Sequence, residues 1–285
     1  MLERLVPASK AEKKPWKMFF VGLIYASLSL LLVHWFFAND AVLSKHAGMI
    51  VVTFSVMFSL PFMYNIIKQE EKQDEKVKGF FGVWTAHGDA IQALMWLFFG
   101  FIVAFAFWNT ILKDPLLFNA QIGTYCLINS PGNVEGCVSL YSPGGSSITG
   151  YATKSARFVA IIENNLLVMI FTLVFSLLFG AGAIFILAWN ASVISAAIGI
   201  FARYQVSHIP LGLARYMIHG LPEIGAYFIT ALAGGIFGVS ALRNGMGNKR
   251  FLRVTENVSI LILLAIFLVV LAGIMEVYLT PLLFR

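Results

Sequence analysis

Four groups of polar residues interrupt the apolar stretches of this 285-residue chain, and they are where chemistry is possible. They are Glu163-Asn164-Asn165, Asn190, the stretch from His219 to Glu223, and Glu276. Polar groups at membrane depth are costly to bury, so each group is a functional hypothesis. Hydrogen bonding that fixes one helix to another is the competing structural role.

The stretch from His219 to Glu223 combines an imidazole and a carboxylate with helical spacing. On a continuous helix both side chains share a face, and the carboxylate can orient the imidazole. Pro222 lies between them and suits the first turn of a helix, so the pattern predicts a helix that begins near Leu221. Its free N–H groups would stabilise Glu223 or receive an anionic ligand inside the membrane.

The motifs for catalysis are absent from the sequence. There is no H-E-x-x-H, G-x-S-x-G or P-loop pattern, and no lysine lies in the middle of an apolar stretch. Each of those patterns supplies a metal, a nucleophile or a phosphate cradle. We therefore expect no catalytic residue, no metal and no cofactor. We assign an intramembrane polar cluster to Asn164, Asn165, Asn190, His219 and Glu223.

The elements that hold these residues are predicted to be transmembrane helices. Apolar residues form 59% of the chain and charged residues 12%, and the mean hydropathy is +0.82. Soluble proteins contain about 45–50% apolar and about 25% charged residues. A spanning helix needs about 20 mostly apolar residues. Five runs clearly provide them, namely Met18–Ala38, Met49–Ile67, Ile91–Leu112, Leu166–Trp189 and Val258–Leu279. A sixth run, Ala226–Leu242, is shorter and follows a semi-polar stretch from Tyr216. The predicted fold is an all-α polytopic bundle.

Basic residues predict the orientation of the bundle, because they collect in cytoplasmic loops. They occur before Met18, at 68–78 and at 243–253, and helix ends, not nucleic acid, account for the net charge of +6. Six crossings would place the last basic loop outside. The segment 190–203 is therefore either a re-entrant half-helix or, as we prefer, a short seventh crossing, with the N-terminus cytoplasmic and the C-terminus outside.

Two short stretches allow further interpretations. The region from Leu166 to Ala202 can alternatively contain two short spans hinged near Gly180 and Gly182. The stretch from Gln69 to Lys78 alternates acids and lysines at helical spacing, which is typical of a solvated, ion-paired helix face.

The segment 113–160 is the one sizeable polar loop, and the charge pattern places it outside the cytoplasm. It holds both cysteines, Cys126 and Cys137, and an oxidising exterior favours a disulfide between them. A zinc pair is the alternative, but two thiolates without a nearby histidine make an incomplete site. The chain is accordingly divided into a three-helix part (1–112), this extracytoplasmic loop (113–160) and a C-terminal membrane part (161–285).

Gly234, Gly235 and Gly238 form overlapping small-xxx-small patterns that favour close helix contact. The contact is made either within the bundle or with a second protomer. The expected partners are therefore the lipid bilayer, a second copy in a homo-oligomer such as a dimer, or other envelope proteins.

Three of these motifs, taken in order, resemble the stage II sporulation protein M family. They are Asn164-Asn165 opening a helix, Asn190 after a glycine-containing span, and His-Gly-x-x-Glu from His219 before an Ala/Gly-rich helix. The resemblance covers about 163–243. Two departures are that Ala191 stands where the family usually has glycine, and that Pro222 precedes the glutamate instead of following it.

The resemblance implies a multi-pass cell-membrane protein without established enzymatic activity. In spore formers the namesake helps to organise a peptidoglycan-degrading complex during engulfment. We therefore predict a non-enzymatic scaffold or assembly component of a cell-envelope complex. The alternative is a channel or transporter for a small solute or ion that uses the intramembrane Asn/His/Glu cluster.

Overall fold

The computed structural model describes residues 14–37, 40–74, 79–114, 116–129, 133–141, 154–179, 184–244 and 248–284. Within these ranges the chain is helical and has no strand, which confirms the all-α fold. The ten α-helices described are α1 (Lys17–Phe37), α2 (Ala47–Asp74), α3 (Gly79–Leu112), α4 (Asn119–Asn129), α5 (Val134–Tyr141), α6 (Lys154–Phe179), α7 (Ile184–Phe201), α8 (Ile209–Asn244), α9 (Lys249–Ile274) and α10 (Thr280–Leu283). A π-helical turn, Met275–Leu279, joins the last two.

Seven of the described helices are long and apolar enough to cross a membrane, namely α1, α2, α3, α6, α7, α8 and α9. The single span expected from Leu166 to Trp189 is wrong, since α6 ends at Phe179 and α7 begins at Ile184. With 18 residues, α7 is about 27 Å long, enough for a crossing and too long for a re-entrant half-helix. The alternative of two spans in this stretch is therefore confirmed; its hinge glycines fall in 180–183, outside the described residues.

The helix ends divide the bundle into a basic end and a disulfide end. Arg243 near the end of α8 pairs with Glu71 near the end of α2, so the α2–α3 and α8–α9 connections lie together at the basic end. At the opposite end, Arg215 donates to the carbonyl oxygen of Phe284 (3.4 Å). The start of α8 and the residues after α9 therefore lie together at the disulfide end, which also carries α4 and α5.

The central helix of the bundle is α8, in which residues 224–236 are all buried. Gly234 and Gly238 lie against α6, where an added Cβ would come within 2.8 Å of the Leu173 carbonyl oxygen and 2.6 Å of the Leu177 carbonyl oxygen, respectively. A Cβ added to Gly235 would come within 2.9 Å of the Ile67 side chain in α2. The predicted small-residue contact is therefore made within the bundle.

A second close contact joins α1 to α3. A Cβ at Gly22 would overlap the carbonyl oxygen of Leu97, and a Cβ at Gly100 would overlap that of Phe19. In lipid the hydrophobic effect does not drive helices together. Close packing of the two backbones stabilises the contact between α1 and α3 instead.

The helices α4 and α5 form a disulfide hairpin on the end of the bundle. The predicted disulfide joins Cys126 of α4 to Cys137 of α5, with a Cα–Cα distance of 5.7 Å. Gln121 holds α4 to two spanning helices, donating from Nε2 to the carbonyl oxygen of Gly48 (2.9 Å) and to Ser192 Oγ (3.2 Å). In its described residues the segment after Leu112 is thus largely helical, and α6 begins at Lys154, within the expected loop. The three-part division of the chain stays a prediction.

The turn after α7 packs against the same hairpin. Arg203 and Tyr204 have φ values of 50° and 53°, in the left-handed region, and they reverse the chain sharply. The Tyr204 hydroxyl donates to the carbonyl oxygen of Tyr141 in α5 (2.7 Å). Burial raises the pKa of Tyr204 to about 12, so this hydroxyl stays protonated at physiological pH and remains a donor.

Replacing both cysteines, as in Cys126→Ser with Cys137→Ser, is expected to loosen the hairpin without unfolding the bundle. Opening a loop of this length removes about 3 kcal/mol of local stability in the chain-entropy model. Amide hydrogen exchange in α5 should accelerate by about 100-fold, while exchange in the buried part of α8 stays unchanged. Unaltered exchange in α5 would show that packing alone holds the hairpin.

Candidate functional site

The predicted polar residues lie inside helices and not at their starts. Asn164 and Asn165 are in the interior of α6, which begins at Lys154. Asn190 is inside α7 and does not follow a span. The expectation that the asparagines open or interrupt helices is therefore wrong. The helices need not end there, because an asparagine can hydrogen-bond within its own helix, as Asn190 does to the carbonyl oxygen of Ile186.

His219 and Glu223 also lie inside a helix, because α8 continues through Pro222. The predicted start near Leu221 is wrong. Proline removes one backbone hydrogen bond, but helices packed in a membrane bundle tolerate this loss. The central position of α8 keeps the helix in one piece, so no free helix N-terminus is created at this depth.

Glu223 is the centre of a polar site between α6, α8 and the π-helical turn. Its Oε1 accepts a hydrogen bond of 2.9 Å from the hydroxyl of Tyr227, one turn further along α8. Asn165 of α6 interacts with the same carboxyl, but its buried Nδ2 makes no hydrogen bond of ordinary geometry. The third group that acts on Glu223 is the carboxyl of Glu276, which repels it. Two acids therefore lie close together inside the membrane region.

His219 has a different partner. Its Nδ1 lies 3.1 Å from Thr280 Oγ1, and the threonine hydroxyl is also 3.1 Å from the carbonyl oxygen of Met275. The Thr280 hydroxyl can donate to that carbonyl and at the same time accept a hydrogen bond at its oxygen, so it links His219 to the π-helical turn. The hydrogen bond described for this imidazole is therefore to Thr280, and not the expected one to Glu223.

Glu276 is positioned by the π-helical turn Met275–Leu279. Pro281 follows this turn, and in a regular α-helix its ring would meet the carbonyl oxygen of Val277. The wider turn avoids that collision. Single π turns of this kind are frequent at functional sites, and here the carbonyl oxygen of Met275 accepts from the Thr280 hydroxyl, which also contacts His219 of α8.

The remaining two predicted residues are less involved. Asn190 donates from Nδ2 to the carbonyl oxygen of Ile186 in its own helix (2.7 Å) and does not join the site by a hydrogen bond. Asn164 donates to Asn165 Oδ1 (3.3 Å). The residues that the structure brings together, hereafter the Glu223 cluster, are Asn165, His219, Glu223, Tyr227, Glu276 and Thr280.

Sequence reasoning missed two members of this cluster and could not connect a third. Tyr227 has the same spacing from Glu223 as Glu223 has from His219, so a continuous helix would have pointed to it. Glu276 was visible as an acid late in the last span. Thr280 carried no signal, because its role depends on the π-helical turn.

The Glu223 cluster lies far from the ends of the spanning helices α6 and α8. At 1.5 Å per residue, Glu223 is about 21 Å along α8 from its start, and Asn165 is about 16 Å along α6. Glu223 and Glu276 are nevertheless only partly covered by protein. In the described part of the chain, no three His, Cys, Asp or Glu side chains are grouped as metal ligands.

A second polar site lies at the basic end and corrects another expectation. Glu70 and Glu71 are 1% and 0% exposed, so the solvated face predicted from Gln69 is wrong for both. Glu70 Oε2 lies 2.6 Å from Nδ1 of the fully buried His87 in α3, and Glu71 pairs with Arg243 of α8. These pairs join α2 to α3 and to α8.

Comparison with known proteins agrees with the fold. The family model described as "Stage II sporulation protein M" matches residues 79–281, whereas neither a search of curated proteins nor one of solved structures gives a significant match. The match begins with α3 and ends in α10, so it is wider than the 163–243 expected and includes the disulfide hairpin; α1 and α2 precede it. It covers well over half of the chain and all residues of the Glu223 cluster, and the chain therefore belongs to the stage II sporulation protein M family of multi-pass membrane proteins.

Proposed function

We propose that the protein is a non-enzymatic scaffold or assembly component of a cell-envelope complex in the cell membrane. The observation that carries this proposal is the disulfide hairpin. It is closed covalently and tied to α2 and α7 through Gln121. Tyr125 of the hairpin also interacts with Tyr216 of α8. A small surface held this firmly suits the docking of a partner, because little entropy is lost on binding.

The proposed orientation has the basic end in the cytoplasm and the disulfide hairpin outside. Two independent features support it. Lysine and arginine collect in cytoplasmic loops, and disulfides persist in oxidising compartments outside the cytoplasm. The partner would then be an envelope protein on the outer side. Gly234, Gly235 and Gly238 pack against α6 and α2 within the bundle, so they give no support to a homodimer, which stays a prediction.

Site-specific photo-crosslinking in intact cells tests the scaffold. A photoreactive amino acid at Glu135, which is exposed on α5, should yield a discrete adduct with one envelope protein. The same amino acid at Leu167, on the exposed apolar face of α6, should yield none. The Glu135 adduct should weaken in the Cys126→Ser, Cys137→Ser variant. Equal labelling from both positions would contradict a docking role for the hairpin.

A second candidate function, movement of a small ion or solute, is favoured by the two neighbouring acids of the Glu223 cluster. Ionisable residues at membrane depth commonly mark transport paths. The purified protein in liposomes would then conduct ions or protons above the level of protein-free liposomes, and Glu223→Gln would abolish this flux at unchanged protein content. Flux that depends on Glu223 would place transport ahead of the scaffold.

A further inference from the structure

We propose that one face of α2 at the basic end of the bundle binds a phospholipid with an anionic headgroup. This surface, hereafter the α2 lysine face, consists of Tyr64, Lys68 and Lys72. The two lysines hold the headgroup phosphate, and the acyl chain lies along the apolar residues that precede them. The proposal goes beyond the scaffold and depends neither on it nor on which end of the bundle is cytoplasmic.

The end of α2 separates its charged side chains by sign. Glu70 and Glu71 are buried, and each is paired with a basic side chain of another helix. Lys68 and Lys72 are exposed, and within the part of the chain that the structure describes neither lysine forms an ion pair. The acids that alternate with these lysines in the sequence are therefore engaged inside the bundle, and the lysines are left to face an anionic partner.

Both lysines lie at the level where a spanning helix reaches the lipid headgroups. At 1.5 Å per residue, Lys68 is about 32 Å and Lys72 about 38 Å along α2 from Ala47, its first residue. The hydrocarbon core of a bilayer is about 30 Å thick, so a crossing that begins near Ala47 leaves the hydrocarbon close to Lys68. Lysines at this level keep their methylene stems in the apolar layer and extend their charge to the phosphates.

The α2 lysine face continues into the membrane as an exposed apolar strip. Tyr64, Lys68 and Lys72 are spaced by four residues, which places them on one side of the helix. Tyr64 is 55% exposed, and Met57, two turns earlier, is 56% exposed. The Lys68 Nζ lies 5.9 Å from the centroid of the Tyr64 ring, within the range of a cation–π contact. A lipid whose phosphate is bound by the lysines therefore has its acyl chain beside Tyr64 and Met57.

This combination of charge and apolar surface selects a phospholipid over a soluble anion or an acidic protein. A soluble partner reaches the lysines but not the strip below Tyr64, which lies at the level of the hydrocarbon. A phospholipid contacts both parts at once. Each lysine near the membrane surface strengthens association with anionic lipid by about fivefold, so the pair should contribute about 25-fold.

The experiment is native mass spectrometry of the full-length protein, released from detergent micelles that contain phosphatidylglycerol and phosphatidylcholine with the same acyl chains. The wild type should bind phosphatidylglycerol in preference. Lys68→Gln with Lys72→Gln should weaken that binding by about 25-fold, whereas Lys68→Arg with Lys72→Arg keeps both charges and should preserve it. The control is Lys45→Gln with Lys113→Gln, which removes the same charge from exposed positions at the disulfide end and should bind like the wild type.

Four results would overturn the proposal. They are equal binding of the two lipids by the wild type, an equal loss in the control, competition by inorganic phosphate at constant ionic strength, which would indicate a soluble anion as the ligand, and unchanged phosphatidylglycerol binding in the glutamine variant, which would leave the lysines to a protein partner. Should the glutamine variant fail to fold, the salt dependence of the wild type decides. Binding that weakens with added salt supports the site, and binding that is independent of salt refutes it.

Discussion

Replacing His87 with leucine is expected to lower the free energy of unfolding by about 3 kcal/mol, at the lower end for a broken buried pair. The imidazole is fully buried, and its Nδ1 contacts the equally buried carboxylate of Glu70 at 2.6 Å. Leucine fills similar space but leaves that carboxylate without this contact. Because Glu70 lies on α2 and His87 on α3, the loss should appear as easier separation of these two helices.

The measurement is reversible unfolding in mixed micelles with increasing dodecyl sulfate, followed by tryptophan fluorescence. His46→Leu is the control, since His46 is exposed and lies just before the start of α2, and it should change the result by less than about 0.5 kcal/mol. The double variant Glu70→Leu, His87→Leu should recover much of the loss, because removing both partners of a buried pair is often nearly neutral. Equal losses in the single and double variants would mean that Glu70 is satisfied without His87.

Adding one methyl group at the α1–α3 contact is expected to be almost as damaging. In Gly100→Ala the new Cβ would overlap the carbonyl oxygen of Phe19, and it would come within 2.8 Å of the Leu23 backbone nitrogen. Both obstacles are backbone atoms, so no side chain can rotate away. The helices must move apart, which should cost about 2–3 kcal/mol and reduce the amount of protein in the membrane.

The same helix offers a matched control. Gly88→Ala, also in α3, places its Cβ where no atom lies within 4 Å. There the substitution should be neutral or should stabilise by about 0.5–1 kcal/mol, because alanine favours the helix. The dodecyl sulfate midpoint and the membrane abundance of both variants are compared. Equal midpoints and equal abundance of Gly100→Ala and Gly88→Ala would refute a close backbone contact between α1 and α3.

The two contacts also explain how α1 and α2 are attached. These helices precede the family match, which begins at Gly79. Gly22 of α1 and Glu70 of α2 both contact α3, the first helix of the match, and Glu71 reaches α8. The N-terminal helices are therefore joined to the family part by close packing at one site and by buried polar pairs at another.

Much of the architecture could be predicted from the sequence because hydropathy and loop charge are each summed over residues that are neighbours in the chain. Twenty apolar residues in a row identify a span whatever its neighbours, and the basic loops require an odd number of crossings after 160. That parity argument predicted a short crossing at 190–203, which overlaps most of α7 but begins six residues later. The predicted disulfide between Cys126 and Cys137 rested on two cysteines in one outer loop, which is also local information.

The errors arose where a residue's role depends on a partner far along the chain. Acids alternating with lysines after Gln69 look the same on a solvated helix and on one whose acidic face packs against α3 and α8. Pro222 looks like a helix start unless the packing around α8 is known. Asn190 and Asn165 look alike in the sequence as polar residues at membrane depth. The sequence does not indicate that Asn190 hydrogen-bonds to its own helix.

The sequence by itself determined that this is an all-α membrane protein, which polar residues are costly to bury, and which family it belongs to. Only the tertiary structure decided that Glu223 meets Glu276 and Asn165, and that Glu70 meets His87. The physical reason is that burial cost depends on composition along one helix. Which polar side chains pair with each other depends on which helix faces meet. Close glycine contacts such as those of Gly100 and Gly234 help to determine which faces meet, and they exist only in the folded bundle.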